Sequence, residues 1–377
     1  GVCVDYESAK YAIKLVEIEQ ARLNKEMQKL TKNMVGTCSA VGQLMDYLAI
    51  NGIKTEGVTK SEVAALLEQD LPDNIRKVLL LRQEAAKTST AKLNSMVNGV
   101  CWDGRIRGMF QYHGASTGRW AGRRLQLQNF PRPNLKQDQI EKVFELFGKE
   151  NYADVLGEID LLYGAPLQVI SDCLRGFIIP QEGNKFICAD FSAIEARVLA
   201  WLAGEEKILN VFRTHGKIYE AAASDIYRIP IENVTKAQRQ VGKTAVLALG
   251  YGGGIGSFKT MAKNYGVNVG DEEADKIKNA WRQANNNIVK YWYDLENAAK
   301  LAITNHNTQF SAGFKNRNVT FKKSESFLFC KLPSNRVLCY PYPLIQDVEM
   351  KWGEKKASVT YMGEDTYTRK WERLKTY

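Results

Sequence analysis

The sequence predicts an α+β protein that is mostly helical and ends in a β-rich segment. Three observations lead to this prediction: helical periodicity over the first hundred residues, a second helical stretch from about 207 to 305, and turn-rich β patterning after it. Between them, residues 103–133 are rich in glycine, arginine and glutamine and have few periodic apolar residues. This order is typical of a core interrupted by a helical insertion.

The N-terminal lobe is predicted from apolar spacing and helix caps. Its first helix has an apolar seam formed by Val16, Leu23, Met27, Leu30 and Met34. A second helix is expected from a cap at Ser39 to about Ile50, a third from the capping box Thr59 to Glu62, and a fourth from Asp73 to about Met96.

Composition limits the class of protein. The chain has 377 residues, a net charge of +10 and a pI near 9.1, which is typical of a protein with a polyanionic partner; a basic surface kept only for solubility is the alternative. No apolar run approaches the roughly 18 residues that cross a bilayer, so no membrane partner is expected. Seven dispersed cysteines without a C-x-x-C pair indicate free thiols in a reducing compartment, and hence a cytoplasmic protein.

The stretch "RQVGKTAVLALGYGGG", from Arg239 to Gly254, is predicted to be a helix rather than a phosphate-binding loop. Ala237 stands where a P-loop needs its first glycine, and no frame contains G-x-G-x-x-G. With Thr235 as N-cap, a helix places Arg239, Lys243, Leu247 and Tyr251 in one stripe opposite a buried apolar face. An anion docked on both cations would relieve their repulsion, and a triphosphate fits; a solvated basic face is the alternative.

Two other stretches carry candidate chemistry. In "KFICADFSAIEARVLAWLAGE", residues Phe186 to Ala189 are predicted to form a short strand with Asp190 at its edge, where a carboxylate suits Mg²⁺. Asp190 as a plain turn residue, and Glu195 as the partner of Ser192 in a capping box, are the structural alternatives. In "YHGASTGRWAGRRLQLQNFPRP", arginines alternate with Gln and Asn, a pattern that suits phosphates and base edges, or else a polar surface loop.

With these three stretches in this order, the chain resembles the family A DNA polymerases (the DNA polymerase I family), particularly phage-encoded members. "ADFSAIEARVLAWLAG" is similar to the first palm motif of that family, "RQVGKTAVLALGYGGG" to its fingers helix, and "STGRW…LQLQN" to the segment that grips the primer-template. The resemblance implies a right-hand fold with an antiparallel palm sheet: thumb at 1–102, palm at 103–200 and 307–377 (the second part incomplete), and fingers at 201–306.

The resemblance also implies the roles of individual residues. Asp190, with the Phe191 carbonyl, would hold two Mg²⁺ ions, and Lys243 would act in catalysis as well as binding the triphosphate. Glu195 would fill the space of a ribose 2′-hydroxyl, which favours deoxynucleotides. The remaining implied nucleotide contacts are Arg239, Leu247, Tyr251 and Tyr219, and the implied primer-template contacts are Arg119, Gln128, Asn129, Lys87, Ser89 and Lys92.

Three departures from the family pattern affect these expectations. Leu247 stands where many members have Phe or Tyr, and Tyr219 stands where many bacterial members have a phosphate-binding His. The second metal-binding carboxylate of the family lies in a His-Asp-Glu hairpin, and no histidine here is followed by Asp; Asp347 and Glu349 are in the wrong context. We therefore expect a fragment that ends before half of its metal site and is inactive unless a C-terminal segment or separate chain complements it.

The function predicted is template-directed, 5′ to 3′ primer extension from dNTPs with Mg²⁺. A non-catalytic primer-template DNA-binding protein is the alternative. A single-subunit RNA polymerase is a third hypothesis, which Glu195 disfavours.

Overall fold

A computed structural model describes residues 1–115, 117–349, 353, 355–366 and 368–376. The chain divides into two compact units, Gly1–Cys188 and Ala189–Tyr377. Each unit has its own hydrophobic core.

Helices dominate the first unit. They are α1 (Tyr6–Leu30), α2 (Val41–Ile50), α3 (Lys60–Leu67), α4 (Asp73–Ala85), α5 (Ala91–Gly99), α6 (Gln137–Leu146), α7 (Tyr152–Tyr163) and α8 (Pro166–Asp172). The predicted apolar seam is confirmed on α1, where Val16, Leu23 and Met27 are buried and Leu30 is half-buried. Met34 lies beyond the end of α1 and is exposed, so its inclusion in the seam was wrong.

The helix ends of this unit follow the sequence in part. The capping box of Thr59 and Glu62 is confirmed at the start of α3. The cap predicted at Ser39 is wrong, because Ala40 is the N-cap of α2 and the Ser39 hydroxyl shares a hydrogen bond with Thr37 instead.

The single helix predicted from Asp73 to about Met96 is interrupted. It consists of α4, a short 3-10 turn at Thr88–Thr90, and α5. The Thr90 hydroxyl donates to the Lys87 carbonyl at 2.8 Å, a local bond of the kind that competes with helix propagation.

The strands of the first unit are short and antiparallel. β1 (Val2–Val4) pairs with β2 (Arg105–Ile106) on one side and β5 (Ile178–Ile179) on the other, and β3 (Phe110–Gln111) pairs with β4 (Ala121–Gly122) as a separate ribbon. The first sheet therefore joins segments that are far apart in the sequence.

The second unit contains the predicted helical stretch and the β-rich end. Its helices are α9 (Ile194–Ala203), α10 (Glu206–Thr214), α11 (Ile218–Tyr227), α12 (Lys236–Leu249), α13 (Ile255–Asn264), α14 (Asp271–Ala284) and α15 (Asn286–Thr304). Both features were predicted from periodicity and turn content, and both are confirmed.

Two antiparallel sheets follow α15. The first has the order β6–β7–β8–β9, with strands Gln309–Ala312, Val319–Ser324, Phe327–Lys331 and Val337–Pro341. The second has the order β10–β11–β12, with strands Leu344–Glu349, Lys355–Glu364 and Trp371–Lys375. The core of this unit joins α12, α14 and α15 to buried side chains of β6, β7, β8 and β11.

The strand predicted at Phe186 to Ala189 is absent. These residues are irregular, and the side chains of Phe186 and Ile187 are 51% and 87% exposed. A strand needs a neighbour to pair its backbone groups, and none of the described strands pairs with this segment. The segment therefore has the apolar composition of a buried strand, but its side chains are exposed.

Helix α9 begins where predicted but with a different cap. Ala193 is the N-cap, in the left-handed region at φ 50°, and no side-chain hydrogen bond caps the helix. The capping box considered for Ser192 and Glu195 is therefore wrong. Arg197 replaces part of its function, since its Nε donates to the Ser192 carbonyl at 2.8 Å and ties the preceding turn to the helix.

Candidate functional site

Helix α12 is built as the sequence predicts. The Gln238 amide donates to the Thr235 hydroxyl at 3.3 Å, and Gln238 Oε1 accepts from the Thr235 amide at 2.9 Å, which completes a capping box. The predicted buried face is confirmed: it holds Val241, Ala245, Ala248 and Leu249, together with Gly242 and Thr244. On the opposite stripe, Arg239 and Tyr251 are exposed, and Lys243 and Leu247 are half-buried.

Arg239 is held by two neighbours on α11. Its Nε donates to Glu220 Oε1 at 2.7 Å, and its guanidinium lies 5.3 Å from the centre of the Tyr219 ring. Burial alone raises the pKa of the Glu220 carboxyl, but the hydrogen bond and charge of Arg239 help to outweigh it, and the net shift is downward. The guanidinium is thus oriented by a carboxylate before any anion arrives.

Lys243 lies one turn further along the same helix. Its Nζ is 4.3 Å from the centre of the Tyr265 ring, a cation–π contact with the residue that ends α13. Leu247 follows after another turn and is half-buried. The stripe therefore presents two cations in succession, each supported by an aromatic ring.

Gly242 explains how α11 comes so close to α12. A Cβ atom at this position would lie 2.2 Å from the Tyr219 carbonyl oxygen and 2.9 Å from the Ala223 amide nitrogen. Only a residue without a side chain permits this approach. Gly242 thereby sets the distance at which Tyr219 and Glu220 meet Arg239.

Tyr251 and Glu195 join the end of α12 to the start of α9. Tyr251 lies two residues past α12 and is 66% exposed, and its hydroxyl donates a hydrogen bond to Glu195 Oε2. Glu195 is in the first turn of α9, where a carboxylate interacts favourably with the helix dipole. Asp190 and Phe191 precede this turn, and both are exposed.

The oxygen donors at Asp190 fit a hard divalent cation in kind. A carboxylate and a backbone carbonyl are the ligand types that Mg²⁺ takes in proteins. In the described parts of the chain, however, no three His, Cys, Asp or Glu side chains come together as a metal-binding group. Asp347 and Glu349 lie on β10, paired with Ala357 and Lys355 of β11.

Two of the candidate DNA contacts in the first unit, Lys87 and Ser89, are bonded to α8. Lys87 Nζ donates to Gln168 Oε1 at 2.5 Å, and the Ser89 and Ser171 hydroxyls share a hydrogen bond of 2.7 Å. Burial lowers the pKa of Lys87, and the positive charge of Lys60 lowers it further. These two side chains are half-buried, so α8 fixes their positions.

Asp172, at the end of α8, holds the polar segment that follows residue 133. It is 2% exposed, and its carboxylate accepts from the Asn134 and Leu135 amides at 2.9 and 3.2 Å and from the Gln168 amide group at 2.7 Å. Because a buried carboxylate without partners is costly, these three bonds make it a strong positional constraint.

Of the other candidate DNA contacts, Lys92 lies on α5, Arg119 in the loop between β3 and β4, and Gln128 and Asn129 in a short 3-10 turn after β4. Arg119, Gln128 and Asn129 are exposed, and Asn129 donates from its side-chain nitrogen to Gln126 Oε1 at 2.7 Å. Gln126 has a left-handed backbone with φ 46°. Lys92 extends over the Phe130 ring at 5.5 Å.

Sequence reasoning missed Glu220, Tyr265, Gly242 and the Gln168 to Asp172 network. Gly242 carries a usable signal, because a glycine in a helix interior costs about 1 kcal/mol relative to alanine and needs a packing reason. Glu220 and Tyr265 carry no local signal, and the partners that explain the buried Asp172 network, apart from Gln168 one turn away, are distant in sequence.

Comparisons with known proteins bear on the family of this chain. The model of DNA polymerase family A matches residues 8–323. The chain belongs to this family. A DNA polymerase of Bacillus phage SP02 is 41% identical over 382 residues, covering 100% of this chain and 56% of the phage protein. DNA polymerase I of Aquifex aeolicus is 25% identical over 297 residues, covering 78% of this chain and 44% of that protein.

A solved structure shares the fold of this chain. The POL domain of Pol1 from M. smegmatis, in complex with DNA primer-template and dNTP, has a TM-score of 0.57 and 19% identity, covering 80% of this chain and 47% of that chain. The predicted α+β polymerase fold is thereby confirmed. The chain spans about half the length of the curated relatives it matches. Within the described residues, no helix has both the length and the apolar character to cross a membrane.

Proposed function

We propose that this family A chain carries the nucleotide-binding and primer-binding parts of a DNA polymerase that extends a primer 5′ to 3′ from dNTPs. The observation that carries the proposal is the α12 stripe: Arg239 and Lys243 one turn apart, followed by Tyr251 bonded to Glu195 on α9, five residues after Asp190.

The two cations suit a triphosphate. Phosphoryl transfer depends mainly on positioning the reacting groups and neutralising charge. Arg239 offers a planar donor whose orientation is already set by Glu220, and Lys243 offers a compact charge on a flexible stem. We assign both to the incoming phosphates, and Lys243 also to protonation of the leaving pyrophosphate.

Tyr219, Leu247, Tyr251 and Glu195 shape the rest of the proposed nucleotide site. Tyr219 lies beneath the Arg239 guanidinium, and Leu247 adds apolar surface in line with the two cations. The hydrogen bond from Tyr251 holds Glu195 at the start of α9, where its side chain would exclude a ribose 2′-hydroxyl. This arrangement supports a preference for dNTPs.

Asp190 and the Phe191 carbonyl would hold Mg²⁺, which would stabilise the negative charge that develops during phosphoryl transfer. No histidine of the sequence is followed by Asp, so Asp190 is the carboxylate that the family pattern assigns to the metal site here. Because one carboxylate does not hold two ions about 4 Å apart, we expect the isolated chain to have little activity. The side chains of Phe186, Ile187 and Phe191 are exposed. Their exposure supports the proposal that a C-terminal segment or a separate chain covers them and completes the site.

The first unit supplies the proposed contacts to primer-template DNA through Lys87, Ser89, Lys92, Arg119, Gln128 and Asn129. We place the thumb at 1–102, the palm at 103–200 and 307–377, and the fingers at 201–306. A phage-encoded protein of this kind would act in the host cytoplasm.

Nucleotide binding tests the proposal without requiring turnover. Binding of a labelled primer-template should tighten when the dNTP that matches the template is added. Lys243→Ala should reduce this dNTP-dependent gain in primer-template affinity about ten- to a hundredfold, because a charged hydrogen bond contributes about 1.5–3 kcal/mol. Lys276→Ala, at an exposed lysine of α14, is the matched control and should leave it unchanged.

Two further outcomes separate the alternatives. Primer-template affinity that is unchanged by any nucleotide would indicate a non-catalytic DNA-binding protein. A gain in affinity that is larger with rNTPs than with dNTPs would indicate an RNA polymerase.

Primer extension with and without a separately supplied C-terminal piece tests the proposal that the metal site is incomplete. Vigorous extension by the isolated chain would contradict that proposal.

A further inference from the structure

A pocket lies between α9 and α10. Its volume is about 310 Å³, and its lining is Arg197, Val198, Trp201, Leu209, Phe212 and Arg213. We call it the α9–α10 pocket. The proposed nucleotide and DNA contacts use none of these residues.

The interior of the α9–α10 pocket is apolar and continues onto an exposed helix face. Ile194, Val198 and Trp201 are spaced as successive turns of α9 and are 42%, 45% and 40% exposed. Leu209 and Phe212 of α10 are half-buried beside them. Contiguous exposed apolar surface of this kind is typical of an interaction site.

The rim of the α9–α10 pocket is cationic. Arg197 lies 4.1 Å from the centre of the Phe212 ring, and Arg317 lies 5.0 Å from that of Trp201 and donates to the Trp201 carbonyl at 3.0 Å. Arg213 pairs with Glu206 at 2.9 Å. The Arg213 hydrogen bond lowers the pKa of Glu206, and the charges of Arg213, Arg317 and Lys315 lower it further, so the cations are concentrated at this edge.

The chemistry of the α9–α10 pocket selects between two kinds of anionic partner. A nucleobase carries several polar edge atoms, and burying them against an apolar lining without hydrogen-bond partners is unfavourable. A hydrocarbon or aromatic side chain has no such cost, and carboxylates on either side of it would meet the arginines of the rim. An acidic peptide with a large apolar residue satisfies both the interior and the rim.

We propose that the α9–α10 pocket docks a short acidic segment of a partner protein, with one phenylalanine-like or leucine-like side chain inserted against Trp201 and Phe212 and its carboxylates at Arg197 and Arg213. The pocket then recruits a partner to the second unit. The proposal goes beyond nucleotide chemistry and does not depend on it.

The test uses a fluorescein-labelled synthetic peptide in which phenylalanine is flanked on both sides by aspartate and glutamate. Its anisotropy is measured with the whole 377-residue chain. Trp201→Ala should weaken binding about tenfold or more, as expected for an aromatic anchor. Trp102→Ala, which removes a tryptophan that is 97% exposed in the first unit, is the matched control and should have no effect.

The rim is tested separately. Arg213→Gln should weaken binding about three- to tenfold at low salt and less at high salt, whereas Arg369→Gln, at an exposed arginine that is also paired with a glutamate, should not. Should Trp201→Ala fail to fold, Val198→Asp at an exposed helix position places a repelling charge in the pocket and should abolish binding.

Three results would overturn the proposal. The first is equally tight binding of a charge-matched peptide with serine in place of phenylalanine. The second is displacement of the peptide by a thymidine oligonucleotide of similar length with the same sensitivity to Trp201→Ala, which would indicate a nucleic-acid surface. The third is self-association of the chain alone through the pocket, detected if Val198→Asp makes the chain monomeric in sedimentation.

Discussion

Gly242 offers a direct test of how the α11–α12 contact positions the candidate nucleotide site. In Gly242→Ala the new methyl group would lie 2.2 Å from the Tyr219 carbonyl oxygen, whereas ordinary contacts begin at 3.4 Å. The two helices must therefore separate by about 1 Å, since both close contacts are with backbone atoms. Tyr219 and Glu220 would move away from Arg239 with the rest of α11.

The expected stability change combines two opposing terms. Alanine favours a helix interior over glycine by about 1 kcal/mol, while overpacking costs about 1–3 kcal/mol. Because backbone rather than a flexible side chain opposes the methyl group, the cost should lie near the upper end and the net loss should be about 1–2 kcal/mol. For a unit of this size that lowers the melting temperature by about 2–8 °C.

Gly157 is the matched control for this substitution. It lies inside α7, and a Cβ atom there would meet nothing within 4 Å. Gly157→Ala should therefore raise the free energy of unfolding by about 0.5–1 kcal/mol. Thermal unfolding by circular dichroism measures both variants, and nucleotide-dependent primer-template binding should fall only in Gly242→Ala. Equal stabilisation by the two alanines would refute the packing argument.

Three further predictions concern buried polar groups and thiols. Asp172→Ala should lower the free energy of urea unfolding by about 2–4 kcal/mol, because it leaves two backbone amides without their acceptor, while Asp46→Ala at an exposed site should change it by less than about 0.5 kcal/mol. Burial and the charge of Glu19 raise the pKa of Glu84, so its ionised form is penalised in the folded state above that pKa and the penalty disappears as pH falls through it. Glu84→Gln should therefore stabilise the chain near neutral pH and reduce the gain in melting temperature on acidification; an unchanged pH profile would contradict this. Timed N-ethylmaleimide labelling followed by mass spectrometry should modify the exposed thiols of Cys188 and Cys339 first. The buried thiols should react last, because burial raises the pKa of Cys38 to about 11, of Cys173 to about 12 and of Cys330 to about 11.

Local sequence determined the helices and their caps where one segment holds all of the information. The capping boxes at Thr59 and Thr235, the buried face of α12 and the apolar seam of α1 each depend on residues within a few turns of one another. The motif order was enough to indicate the family, which the comparisons confirm. The roles assigned to individual site residues remain predictions.

Tertiary structure decided everything that depends on a distant partner. Residues 186–189 have the composition of a strand, but none of the described strands pairs with them. Gly242 is explained by its close contacts with α11, and the buried carboxylate of Asp172 accepts from amides 37 and 38 residues away. Apolar patterns and caps are local because they follow the helical repeat. Hydrogen bonds and close contacts between elements are not, because the chain path brings their partners together only after folding.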